Sequence, residues 1–274
     1  MKIAFGALLL TCLTTVALAE ESAVGFQSST LADAQNERAL EMVVWYPSTT
    51  TAAAQLWQRP VDLSRVIDRV TAQPGKFGAV AHERIAVVGH SLGGWTALEI
   101  GGARFDPDRF AQDCKAHPQL ASCSVYAQMN PASTAPAKAA LAADWRDKRV
   151  TAVVTLDLGL SRGMTDASLA ALPVPALVIA AGAPSRELPA ELESANLASR
   201  LPAASSRYVE ISDASHFTFL SVCKPGAQAM LEEEVPGDGI ICQDGDSARE
   251  RGVIQQQVAS LIAQFLESSH AGQP

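Results

Sequence analysis

Five apolar runs rich in β-branched residues, Met42–Tyr46, Arg84–Val88, Val150–Leu156, Ala176–Ala180 and Arg207–Ile211, are each bounded by glycine, proline or charged residues. Between them the apolar spacing turns helical, over Asp62–Val70, Leu92–Ile100, Ala167–Leu172, Glu191–Leu201 and Val253–Leu266. A strand that is apolar at nearly every position has no side left for water. Such strands alternating with helices therefore predict an α/β fold, a mostly parallel sheet with helices on both faces. Asn130–Ala143 and Leu231–Arg251 are expected to be loose surface excursions, and no internal repeat is visible.

With 274 residues, 48% apolar and 18% charged, the chain can bury a full-sized core, which excludes a disordered or fibrous protein. The formal net charge is −8 and no basic run reaches five residues, so nucleic acid and anionic membrane surfaces are not expected partners. Met1-Lys2, an apolar stretch from Ile3 to Leu18 and the small-residue pattern Ala17-Leu18-Ala19 form a secretory signal peptide, read as cleaved after Ala19. The stretch is interrupted by threonines and falls short of the roughly 20 residues that span a bilayer. Cys12 lacks the small residues that precede a lipid-modified cysteine. The remaining chain, 20–274, is expected to be one domain, secreted or periplasmic, without membrane insertion.

Four cysteines remain after cleavage: Cys114, Cys123, Cys223 and Cys242. In an oxidising compartment they predict two disulfides, and Cys114–Cys123 with Cys223–Cys242 closes the shortest loops of the possible connectivities. Zinc is not expected, because no Cys-x-x-Cys or His-x-His spacing occurs.

The segment Arg84-Ile85-Ala86-Val87-Val88-Gly89-His90-Ser91-Leu92-Gly93-Gly94 sets Gly-x-Ser-x-Gly directly after an apolar run and directly before a helix. That is the strand-turn-helix context of a nucleophile elbow, with Gly89 and Gly93 expected to relieve crowding in the turn. The Leu92 N–H, at the helix start, is the expected oxyanion donor. Gly159-Leu160-Ser161-Arg162-Gly163 matches the same pattern. No apolar helix follows it, so Ser161 is read as a solvated loop hydroxyl.

A serine needs a base. His82, His117 and His270 lie in polar stretches, and His90 sits inside the elbow, where it cannot turn back on its neighbour. His216, just past the last apolar run, is the candidate. Its orienting acid is Asp157, at the end of Val153-Val154-Thr155-Leu156, with Glu187 as runner-up and Asp213 too close in sequence to be favoured. The order Ser91, Asp157, His216 predicts acyl transfer by a serine hydrolase, a small-molecule ester substrate, and no metal or organic cofactor.

On these residues the chain resembles the secreted α/β-hydrolases of the predicted dienelactone hydrolase type, related to platelet-activating-factor acetylhydrolases. The resemblance covers most of the chain. It rests on Val24-Gly25-Phe26, Val44-Trp45-Tyr46-Pro47, Leu56-Trp57-Gln58-Arg59-Pro60, Asp62-Leu63-Ser64, Gly89-His90-Ser91-Leu92-Gly93-Gly94, Ser215-His216-Phe217 and Cys223-Lys224-Pro225-Gly226. It implies an α/β-hydrolase fold, supports Asp157 as the acid, and, with serine rather than cysteine at position 91, favours the esterase branch acting on short-chain, acetyl or lipid-like esters. The chain departs from the family between Pro47 and Trp57, where nine residues replace a strand, an oxyanion loop, a helix and a further strand. The strand carrying Ser91 is then expected to lack its usual neighbour, and the second oxyanion donor is unassigned. A hydrolase-fold protein that binds ligands or partners without efficient turnover is the alternative expectation.

Overall fold

The computed structural model describes residues 25–32, 39–46, 56–244 and 249–271, the first two segments as backbone only. The segment read as a signal peptide, with Cys12, and residues 47–55 lie outside the described residues. Four strands, β3 (Ile85–His90), β4 (Val150–Leu156), β5 (Ala176–Ala181) and β6 (Ser206–Ile211), form one sheet in the order β3-β4-β5-β6, and every pair is parallel. Around it run α1 (Gln58–Thr71), α2 (Leu92–Gly101), α3 (Pro107–Ala116), α4 (Ala121–Met129), α5 (Ala135–Leu141), α6 (Asp166–Ala170), α7 (Ser194–Arg200), α8 (Ala227–Glu234) and α9 (Arg251–Ala271). The fold class is α/β, with helices flanking a parallel sheet. No helix among the described residues is long and apolar enough to cross a membrane.

The continuous apolarity of the central strands has a simple cause: both faces are covered. Ala152, Val154 and Leu156 of β4, with Leu177, Ile179 and Ala181 of β5, pack on Ile254, Val258, Ile262 and Phe265 of α9. Their alternates Val153, Ala176 and Val178 join Trp95, Leu98 and Leu197 in the core on the opposite face. The sheet edges read differently. β6 leaves Arg207, Tyr208 and Glu210 exposed, the polar blunting expected of an edge strand, and β3 is the other edge among the described residues.

The first expected strand forms, but outside the parallel sheet. Met42–Tyr46 belongs to β2 (Ala39–Tyr46), which pairs antiparallel with β1 (Gly25–Ala32) in a separate sheet and forms no ladder with the parallel strands among the described residues. The six residues between the two strands can close a hairpin, whereas a parallel crossover needs about a dozen or more. The excursions are also more ordered than expected. Within Asn130–Ala143, Thr134 caps α5 by accepting from the Ala137 N–H, with proline in the first turn. Within Leu231–Arg251 lie the end of α8 and a 3-10 turn, Asp238–Cys242.

Helix α2 is buried from Gly94 to Gly101, and this encloses a charge-bearing residue, Glu99, completely. Burial raises its carboxyl pKa well above 4.5, and the Phe105 N–H and the Arg104 charge offset only part of that. Below the unfolded pKa both states hold the proton and the burial is harmless. As pH rises above it, the unfolded chain releases a proton that the folded chain keeps, so stability falls by up to about 1.4 kcal/mol per pH unit. Glu99→Gln is therefore expected to gain stability over wild type at pH 8, and to lose that advantage at pH 4. Urea unfolding at the two pH values measures this, and a gap of equal size at both would contradict it.

Candidate active site

The elbow begins where β3 ends. Ser91 donates its N–H to the Leu156 carbonyl at 3.0 Å, continuing the β3–β4 ladder one step, and then turns with φ 54° and ψ −121° into α2. Asp157 follows Leu156 directly and also has positive φ, at 43°. Two side-chain-bearing residues are thus held in left-handed backbone on adjacent strand ends. Strain of this kind is of order 1–3 kcal/mol per residue and persists only where surrounding structure enforces it.

What enforces the turn is close packing at two glycines. A Cβ on Gly89 would lie 2.0 Å from the Gly93 carbonyl oxygen, and one on Gly94 would lie 2.8 Å from the Leu158 Cβ. The expectation that Gly93 relieves a clash is corrected, since nothing lies within 4 Å of its missing Cβ. The crowded positions are those where α2 leans on β3 and on the residue after Asp157. The Ser91 carbonyl accepts from Gly94 N–H (2.9 Å) and Trp95 N–H (3.3 Å), which leaves the Leu92 N–H without an acceptor among the described residues. Arg59 of α1 braces the same turn by donating through Nε to Thr96 Oγ1, whose hydroxyl donates to the Leu92 carbonyl.

Asp157 is 2% exposed, and its carboxylate is fully directed. Oδ1 accepts from the Ala181 N–H at 3.0 Å, and Oδ2 lies 2.7 Å from His216 Nδ1. A carboxylate in that contact takes a proton on Nδ1, which leaves Nε2 as the lone-pair nitrogen. No hydrogen bond joins the Ser91 hydroxyl to His216 among the described residues, so the structure pairs Asp157 with His216 and sets Ser91 at the neighbouring strand end. His90 closes the gap: its Nε2 lies 2.8 Å from the His216 carbonyl oxygen, and the two rings approach to 4.5 Å.

The rejected candidates fall elsewhere. Glu187 is exposed, and Asp213 is paired with Arg249 on the surface, which holds its carboxyl well below the usual range. His82 is exposed. Ser161 is not a solvated hydroxyl: it is fully buried and donates to Glu193 Oε2 at 2.8 Å. Asp113, Cys114 and Cys123 bring three potential metal-donor atoms within 4.8 Å of one another. Two of these are consumed by the Cys114–Cys123 disulfide, and Asp113 pairs with Arg162.

The base-bearing turn, His216–Phe219, is held from behind. Thr218 accepts from the Ser215 N–H and donates to Asp244, which accepts from Arg251, a buried residue whose remaining donors reach the carbonyls of Ser221 and Ile241. The Cys223–Cys242 disulfide closes the same excursion. The loop-entropy account assigns a bridge of this length roughly 3 kcal/mol. Serine at Cys223 and Cys242 is expected to lower thermal stability and turnover together, whereas serine at Cys114 and Cys123 lowers mainly stability. Melting curves, and rates of the ester hydrolysis expected from the sequence, on the two double variants check this; equal activity losses in both would contradict it.

Sequence reasoning missed His90, Glu193 and the Arg251 clamp. Only Arg251 left a signal, a basic residue opening the apolar pattern of α9. No family model matches the chain, and no curated protein matches it.

Proposed function

We propose that this chain is a secreted or periplasmic serine hydrolase of the α/β-hydrolase type, cleaving short-chain or acetyl carboxylic esters through an acyl-enzyme. The observation that carries this reading is the 2.7 Å Asp157–His216 contact at the end of β4, the strand next to the one that ends in Ser91 with positive φ. The two disulfides fit an oxidising compartment.

In this reading His216 Nε2 takes the hydroxyl proton as Ser91 Oγ bonds to the ester carbonyl carbon. The oxyanion forms against the Leu92 N–H, at the positive end of α2. Asp157 stays ionised and stabilises the imidazolium. Collapse breaks the bond to the alcohol oxygen, which leaves with the proton from His216. Water then repeats the sequence on the acyl-serine, losing a proton to His216, and collapse releases the acid and restores Ser91. The cycle balances with water as its only co-reactant.

The rival reading, a hydrolase-like fold that binds without turning over, draws on β3 being a sheet edge among the described residues and on a single assigned oxyanion donor. Losing one donor typically lowers kcat about 10²- to 10³-fold. A fluorophosphonate probe separates the two readings, because it reacts with an activated serine. Label recovered on the peptide containing Ser91 is the expected result; no label on a folded chain would overturn the hydrolase reading.

A further inference from the structure

We propose that His90 is a positioning residue: it sets the base within reach of the nucleophile by donating its Nε2–H to the main-chain carbonyl of His216. The proposal rests on the ester-hydrolase reading above.

The argument starts from topology. Ser91 leaves β3 and His216 follows β6, and these are opposite edges of the sheet among the described residues. Three inter-strand steps of about 4.8 Å, roughly 14 Å in all, separate the two strands, so strand pairing alone does not bring the two residues together. The turn carrying His216 must fold back across the ends of β5 and β4, and it needs an anchor at the far side.

Two anchors are present, and they act on different parts of the residue. Asp157, at the end of β4, holds the ring at Nδ1 with a 2.7 Å contact. A ring held at one atom still swings with its backbone. His90 holds the backbone, its Nε2 being 2.8 Å from the carbonyl oxygen of a residue 126 positions away. Its ring also packs against that of His216 at 4.5 Å with a 40° tilt, and against Phe219 at 5.9 Å. Since His90 is bonded to Ser91, any drift of the base relative to the nucleophile must stretch this hydrogen bond.

The acceptor fixes where the hydrogen sits. A carbonyl oxygen only accepts, so Nε2 carries the hydrogen. Burial, then the neighbouring His216, lowers the His90 pKa to about 3. Thus of the two touching imidazoles only His216 takes up the travelling proton, facing Asp157 on one side and uncharged His90 on the other.

Glutamine can present an amide N–H near the position of Nε2, methionine has the same length without the donor, and phenylalanine keeps the ring without it. Wild type, His90→Gln, His90→Met and His90→Phe are compared by nitrophenyl acetate kinetics, fluorophosphonate labelling rate and melting temperature. His90→Met and His90→Phe are expected to lower kcat and the labelling rate about 10- to 100-fold, as for a misplacement of about 1 Å, with KM within about twofold. His90→Gln is expected to recover most of the loss. The Gln–Met comparison decides the matter if the Phe variant does not fold. Wild-type rates in both donor-lacking variants, or Gln as slow as Met, would overturn the positioning role while leaving the hydrolase reading intact. A wild-type chain that neither hydrolyses nor labels would remove that reading, and this proposal with it.

Discussion

Replacing Ser91 with alanine is expected to lower kcat on a short-chain nitrophenyl ester by at least about 10⁴-fold, because nucleophile and base act as a unit and losing either forfeits most of the catalysis. Ser161→Ala, the same change at the other Gly-x-Ser-x-Gly match, is expected to leave kcat within about twofold and to destabilise the fold by about 1–2 kcal/mol, since it deletes a buried hydroxyl bonded to Glu193. The two serines thus separate on two independent readouts. A third variant sharpens the contrast. Ser91 has φ 54° and ψ −121°, a backbone region that glycine enters without a Cβ penalty. Ser91→Gly should therefore be as inactive as the alanine variant yet more stable than wild type by about 1 kcal/mol, releasing strain the elbow imposes on its serine. Undiminished turnover in Ser91→Ala would move the nucleophile elsewhere. A Ser91→Gly chain no more stable than wild type would mean that the turn holds no strain.

Most of the framework was legible because it rests on local rules. Strands covered on both faces are apolar at nearly every position, so β4 and β5 announce themselves, and Ser91 and Asp157 sit where apolar runs stop. What was illegible depends on partners distant in sequence. β1 carries Gln27, Ser28, Ser29 and Thr30 and has no apolar run to read, so its pairing with β2 could not be foreseen. Gly94 rather than Gly93 is crowded because Leu158, 64 positions later, packs beneath it, and the motif contains no trace of that neighbour. His90 offers no signal in the sequence, because it cannot turn back on Ser91 and its partner is the distant backbone of His216. Ser161 shows the same limit from the other side. Its surroundings look like a loop in sequence, while Glu193 and Arg162 make it part of a buried polar network.

That network carries the second large expected effect. Glu193, 1% exposed, accepts from Ser122 Oγ (2.7 Å) and Arg162 Nη1 (3.0 Å) through Oε1, and from Ser161 N–H (3.2 Å) and Oγ (2.8 Å) through Oε2. Alanine there strips all of these donors at once and leaves the buried Arg162 guanidinium with Asp113 as its remaining acidic partner. Breaking a buried pair by removing one member is destabilising by about 3–5 kcal/mol, a large part of a domain's total. Replacing both members by apolar groups removes the stranded charge, so Glu193→Leu combined with Arg162→Met is expected to be less damaging than the sum of the single changes. The effect should reach the site as well. Ser161 is four residues past Asp157, and Leu160 between them has φ 64°, so the network fixes the segment that leaves the acid. Glu193→Ala is expected to lower kcat about tenfold even where the chain is still folded, as the Asp157–His216 contact loosens. Urea unfolding of wild type, Glu193→Ala, Glu193→Leu, Arg162→Met and the double variant, with hydrolysis rates measured below the onset of unfolding, tests both parts. A Glu193→Ala chain within about 1 kcal/mol of wild type would show that Asp113 alone satisfies Arg162. Additive losses in the double variant would show that the two side chains contribute independently.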